Sequence, residues 1–254
     1  MMIRLPWIGG WLYQVLPHTP VDSTYGPLAM NESPPDRVEM QTGDSPEWSV
    51  VWLHGLGADG HDFEPVVAEL GLPASPAVRF VFPHAPYRTV TVNGGMRMRA
   101  WYDIRAIDIV TAPDTAGIEA SADHLAQLVE EEIARGIDPG KVIVAGFSQG
   151  GAIALHAMLT RSLPIAGVVA LSTYLPLPSA LDAAGADRTP VPVFMGHGTM
   201  DPVVPLFLGA AAMEKLSDAG HDVDWHTYAI PHSVSPAEIA DLARWFAKVM
   251  DGGA

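Results

Sequence analysis

The sequence predicts an α/β domain in which helices flank a mostly parallel central sheet, and three observations carry that prediction. From Trp48 onward, short β-branched apolar runs alternate with longer segments of helical periodicity, the pattern of repeated strand–helix–strand units. The runs are apolar almost without a break, as strands covered on both faces must be. The chain has 254 residues, enough for one core that buries roughly three quarters of the surface exposed on unfolding.

Taken in order, the strand candidates are Ser49–His54, Val78–Phe82, Lys141–Phe147, Ile165–Ser172, Val191–His197 and Val223–Ile230. Helical periodicity predicts helices over Asp62–Leu70, Thr115–Arg135, Gly150–Arg161, Pro205–Ala219 and Ser235–Met250. The last begins Ser235-Pro236-Ala237-Glu238, a capping-box pattern with proline at the first helical position. Between Pro83 and Pro113 the alternation fails. There Asn93-Gly94-Gly95 reads as the turn of a small hairpin, flanked by Thr89–Val92 and Met96–Trp101, at the sheet's carboxyl edge. Residues 1–45 are proline-rich and aperiodic, which predicts an irregular N-terminal arm ahead of one domain over 46–254. Ile3, Leu5, Trp7, Ile8 and Trp11 crowd that arm, so it is expected to pack as a strap, a flap or the contact of a homodimer.

Composition removes several functional classes. With 14 Lys plus Arg against 29 Asp plus Glu, the net charge of −15 repels phosphate backbones, so no nucleic-acid partner is predicted. The absence of cysteine excludes disulfides, thiolate zinc sites and a cysteine nucleophile. The first segment is broken by Pro6, Gly9, Gly10 and Pro17 and lacks a small-residue cleavage site, which predicts a cytoplasmic protein with no stable membrane span. Ten histidines are present, but none falls in H-E-x-x-H or comparable spacing, so neither a metal nor another cofactor is predicted.

The strongest motif is Gly146-Phe147-Ser148-Gln149-Gly150. It matches the G-x-S-x-G nucleophile elbow and lies where that elbow must lie, after a buried strand and before a helix. A serine hydroxyl needs a neutral imidazole to take its proton and a carboxylate to orient the imidazole. Asp201 and His232 follow in the required chain order, each in a loop at the carboxyl end of a later strand. Asp182 and Asp187 are rivals for the acid, and His221 and His226 for the base. Acyl transfer also needs N–H donors for a tetrahedral oxyanion. Gln149, just after the nucleophile, is expected to offer one, and the loop His54-Gly55-Leu56-Gly57 the other. Phe63, Trp101, Tyr102 and Pro202 are candidate apolar walls for a small-molecule ester.

Six segments, LHGLGADGHDF, FPHAP, AWYDI, GFSQGG, HGTMDPVVP and PHSVSPAEI, together resemble the carboxylesterase and acyl-protein thioesterase family, also called the phospholipase/carboxylesterase family. The resemblance runs from about Trp48 to the C-terminus. It implies an α/β-hydrolase fold, a triad of Ser148, Asp201 and His232, and an oxyanion hole formed by the amides of Leu56 and Gln149. Members hydrolyse short-chain carboxylic esters, and some release thioester-linked acyl groups from protein cysteines. The expected function is therefore a serine carboxylesterase acting on short- to medium-chain esters through an acyl-enzyme. An acyl-protein thioesterase or lysophospholipase-type activity is the alternative, and a non-catalytic binding protein on the same scaffold a more distant one.

Overall fold

A computed structural model of the chain describes residues 37–106, 109, 111–179 and 190–252. Its main sheet has seven strands: β1 (Arg37–Gln41), β2 (Pro46–Leu53), β3 (Ala77–Pro83), β6 (Val142–Phe147), β7 (Gly167–Leu171), β8 (Val193–Gly198) and β9 (Val223–Tyr228). They lie in the order β1-β3-β2-β6-β7-β8-β9. Every neighbouring pair is parallel except β1 with β3. The chain first steps outward from β2 to β3 and then returns to the other side of β2 to begin β6. The reversal sits between β2 and β6, and the crevice beyond the carboxyl ends of such a pair is where doubly wound sheets bind ligands. This is the α/β-hydrolase fold.

Five helices are described: α1 (Glu64–Glu69), α2 (Thr115–Ala134), α3 (Gln149–Thr160), α4 (Leu206–Asp218) and α5 (Pro236–Gly252). Alternation along the strands divides the core into two layers. Val51, Leu53 and Val144 face a cluster shared with Ile118 and Leu125 of α2 and Ile153 of α3. Val50, Trp52 and Ile143 face the opposite cluster, with Val66 of α1 and Trp245 and Phe246 of α5. α3 is buried along its length from Gln149 to Leu159, so no polar face is needed and small residues fill it.

Two expectations need correction. The arm over 1–45 is not irregular throughout, because Arg37–Gln41 forms an antiparallel edge strand, with Arg37 opposite Pro83. Its Arg-Val-Glu-Met-Gln alternation is too short to stand out. Val38 and Met40 pack inward, while Arg37 meets Glu131 and Arg135 meets both carboxylate oxygens of Glu39. Residues 1–36, including the apolar cluster of the arm, lie outside the described residues, as do Asp182 and Asp187. The hairpin is present but shifted, as β4 (Tyr87–Val90) and β5 (Met96–Arg99). The Asp103 carboxylate accepts bonds from the Thr91 amide and hydroxyl, at 2.7 Å each, and residues 91–93 curl into a single 3-10 turn before Gly94 and Gly95.

Candidate active site

β6 passes into α3 at Ser148, whose backbone is at φ 54° and ψ −116°. Such a conformation costs a non-glycine residue on the order of 1–3 kcal/mol and persists only where the surroundings fix it. Here they do. The Ser148 amide donates to the Leu171 carbonyl at 2.8 Å, and the Ser148 carbonyl accepts from the Ala152 amide at 3.0 Å and the Thr173 hydroxyl at 2.6 Å. The glycines of the motif are steric necessities: a Cβ on Gly146 would collide with the backbone of Gly150, and one on Gly150 with the carbonyls of Leu53 and His54.

Asp201 lies in the loop after β8, its side chain fully enclosed. Its Oδ1 accepts from the amides of Val203 and Val204, at 2.8 and 2.9 Å. Its Oδ2 is 2.6 Å from His232 Nδ1. Because a carboxylate so placed can only accept, His232 Nδ1 is the donor, and in the neutral ring Nε2 is left free to take a proton. The loops carrying the two residues are joined through backbone bonds from Thr199 to Tyr228 and from Met200 to Ile230, at 2.7 and 3.1 Å. A Cβ on Gly198 would strike the Ile230 carbonyl and part them. The His232 ring rests on Phe147, with centroids 4.7 Å apart.

The loop after β2 is anchored by His54, which bonds the Gly55 carbonyl through Nδ1 at 2.7 Å and accepts from the Ala85 amide through Nε2 at 3.0 Å. That arrangement requires a neutral ring, and burial pushes the His54 pKa down to about 4. Gln149 spends its side chain on structure, accepting from the Trp101 amide at 2.7 Å and donating to the Tyr102 carbonyl at 2.8 Å. Its backbone N–H lies in the first turn of α3, where amides have no intrahelical acceptor.

Ser148, His232, Leu56 and Gln149 line one cavity of about 290 Å³. Of the four residues expected to wall it, Tyr102 and Pro202 do so. Phe63 and Trp101 do not. Phe63 is buried between Trp52 and Phe147, at centroid distances of 5.0 and 5.7 Å. Trp101 is buried because its indole N–H is needed by the His54 carbonyl, at 2.9 Å, where it braces the loop from behind. The apolar wall is supplied instead by Val92, Ile104, Ile109 and Tyr174, with Asp62 also lining the cavity. No motif marks the apolar four: Val92, Ile104 and Ile109 come from the stretch where periodicity fails, and Tyr174 from the loop after β7. The rival histidines stand elsewhere: His226 pairs with Asp224 at 2.8 Å and stacks on Phe194, and His221 lies beside Val191.

The family model described as Phospholipase/Carboxylesterase matches residues 36–250. The chain belongs to this family. It is a serine hydrolase of carboxylic esters. Acyl-protein thioesterase 1 of Mycosarcoma maydis is 39% identical over 232 residues, covering 84% of this chain and 95% of that protein. The crystal structure of Zea mays acyl-protein thioesterase 2 is similar with a TM-score of 0.73 and 27% identity, over 84% of this chain and 98% of the other. Arabidopsis thaliana SOBER1 gives 0.72 and 28%, over 80% and 99%. Among the described residues, no helix is long and apolar enough to cross a membrane, and no group of three or more His, Asp or Glu is arranged to hold a metal.

Proposed function

We propose that the chain releases medium-length acyl groups from thioesters and oxygen esters, in the manner its acyl-protein thioesterase relatives' names denote, with Ser148 as nucleophile. The observation that carries this reading is the 2.6 Å bond from His232 to Asp201, at a cavity that the elbow serine shares with an apolar wall. Ser148 Oγ attacks the acyl carbon while its proton passes to His232 Nε2. The amides of Leu56 and Gln149 hold the resulting oxyanion. Collapse breaks the bond to the leaving sulfur or oxygen, which takes the proton from His232. Water then repeats the sequence and frees the acid. Asp201 keeps accepting the Nδ1–H bond and steadies the imidazolium.

A short-ester carboxylesterase is the second reading, favoured by the modest size of the cavity. Rates across an acyl-chain series, on matched oxygen esters and thioesters, separate the two. The first reading expects comparable or faster turnover of thioesters and an optimum at medium chain length. Turnover confined to the shortest oxygen esters would replace it with the second.

A further inference from the structure

Asp62 is the residue of the cavity that the mechanism leaves unused. It precedes α1, on the loop that follows the oxyanion segment. Apart from the triad imidazole it is the one ionisable side chain of ordinary acidity among the described lining residues, and no Lys or Arg lines the cavity with it. Its Oδ2 is enclosed and meets no hydrogen-bond donor. Evolution of a purely apolar pocket has no use for such a group, because an enclosed carboxylate without a partner is costly.

Its position indicates what it would meet. His232 returns its proton to the departing atom, so the leaving half of the substrate stands on the His232 side. Phe147 contacts both the His232 ring and Phe63, the residue after Asp62, at centroid distances of 4.7 and 5.7 Å. The apolar wall of Val92, Ile104, Ile109 and Tyr174 then remains for the acyl chain.

We propose that Asp62 selects the leaving group: its carboxylate pairs with an ammonium or guanidinium group on the alcohol or thiol half of the substrate. The proposal rests on the assignment of Ser148 and His232 above. The cation supplies a counter-charge to a carboxyl that no described Lys or Arg of the lining pairs. Burial, and then the nearby Asp59, push the Asp62 carboxyl up to about 7. A bound cation draws it back down, so recognition strengthens as pH rises through that value. The other titratable groups near this loop are His61 and Glu64, which pair with each other at 2.7 Å, His84, whose Nδ1 accepts from the Gly60 amide at 2.9 Å, and His232 across the cavity.

The test compares a choline ester with the 3,3-dimethylbutyl ester of the same acid, which has the same shape without the charge. The quantity read is the ratio of their kcat/KM values, at pH 6 and pH 8.5 and constant ionic strength. Any pH dependence of the shared catalytic step affects both esters and cancels in the ratio. For the intact chain the ratio should favour choline by about tenfold at pH 8.5, the effect of one partly shielded ion pair, and decline toward pH 6. Asp62→Asn should bring the ratio near one and remove its pH dependence, a change that a merely structural role would not produce. A ratio that survives Asp62→Asn, or is flat with pH in the intact chain, overturns the proposal; the second reading needs no variant to fold. If the neutral ester is turned over and Ser148→Ala abolishes this, only the proposal has failed. If neither ester is turned over, the assignment of the nucleophile falls with it.

Discussion

The two sides of the cavity are built by different means. On the triad side, the turns after β6, β8 and β9 are held by backbone bonds and by glycines that admit no side chain. On the acyl side, the described residues between 84 and 114 combine the backbone-paired hairpin of β4 and β5 with side-chain bonds, Asp103 to Thr91, Gln149 to Trp101 and Tyr102, and Asp114 to the Asp103 amide and Arg105, and face the cavity with apolar side chains that make none of these bonds. Geometry fixed by glycines and strained turns leaves little to vary, whereas apolar side chains that only face the cavity can change one residue at a time. Chemistry should therefore reside in the first region and chain-length preference in the second, each separable from the other by mutation.

The largest test of that separation is Ser148→Ala. Turnover should fall on the order of 10⁶-fold with the fold retained, because a hydroxyl is removed from an elbow whose backbone bonds do not involve it. Calorimetry beside single-turnover kinetics checks both halves; substantial residual turnover would move the nucleophile elsewhere. Asp201→Asn should cost on the order of 10⁴-fold in kcat with little change in KM, since the amide no longer commands the Nδ1–H tautomer of His232. Asp201→Asn should leave the chain-length optimum of its remaining turnover unchanged. A shift would show that the two regions are coupled.

How far each region was legible from sequence follows from the same difference. Backbone-built turns impose residue types at fixed spacing, so Gly146, Ser148 and Gly150 announce the elbow, and Asp201 and His232 fall in order behind it. The wall imposes only apolarity. Trp101 and Phe63 are apolar enough to serve as wall or as core, and they are core because Trp101 has a carbonyl to satisfy and Phe63 a Phe147 ring to support. Ile104 and Tyr174 are as apolar but come from segments with no period to reveal which way they face. β1 was missed for a related reason, since five residues with three polar ones resemble a loop until the edge of β3 is there to receive them.

Glu238 tests the triad side through stability. It forms the capping box foreseen from Ser235, with its amide 3.2 Å from the Ser235 hydroxyl and its Oε2 accepting from the Ser235 amide at 3.4 Å. It is also fully buried, with Oε1 unpartnered, in space that exists because Gly196 has no Cβ. Burial pushes its pKa from 4.5 up to about 8. The unfolded chain ionises near the lower value and the folded one near the higher, so stability is lost as pH rises between them and changes no further above about 8. Glu238→Gln should remove that loss, raising Tm at pH 8.5 by several degrees more than at pH 5. Equal shifts at both pH values would mean that the carboxyl is ionised in the fold.

The smallest effect is expected on the acyl side, from Ile104→Ala. Ile104 lines the cavity and packs against the first core layer. Its backbone carbonyl accepts from the Val92 amide at 2.8 Å, and the residue bridges to Pro113. These are main-chain bonds, so truncation should leave the excursion in place and remove only surface that an acyl chain would touch. A short chain that stops before Ile104 loses nothing. A longer one loses contact with the side chain's outer carbons, worth roughly three- to tenfold in kcat/KM. The octanoyl-to-butyryl ratio should accordingly fall by that factor, with butyryl turnover close to that of the intact chain. If butyryl turnover falls just as far, Ile104 is supporting the chemistry, and the division between a backbone-fixed catalytic side and a tunable acyl side does not hold.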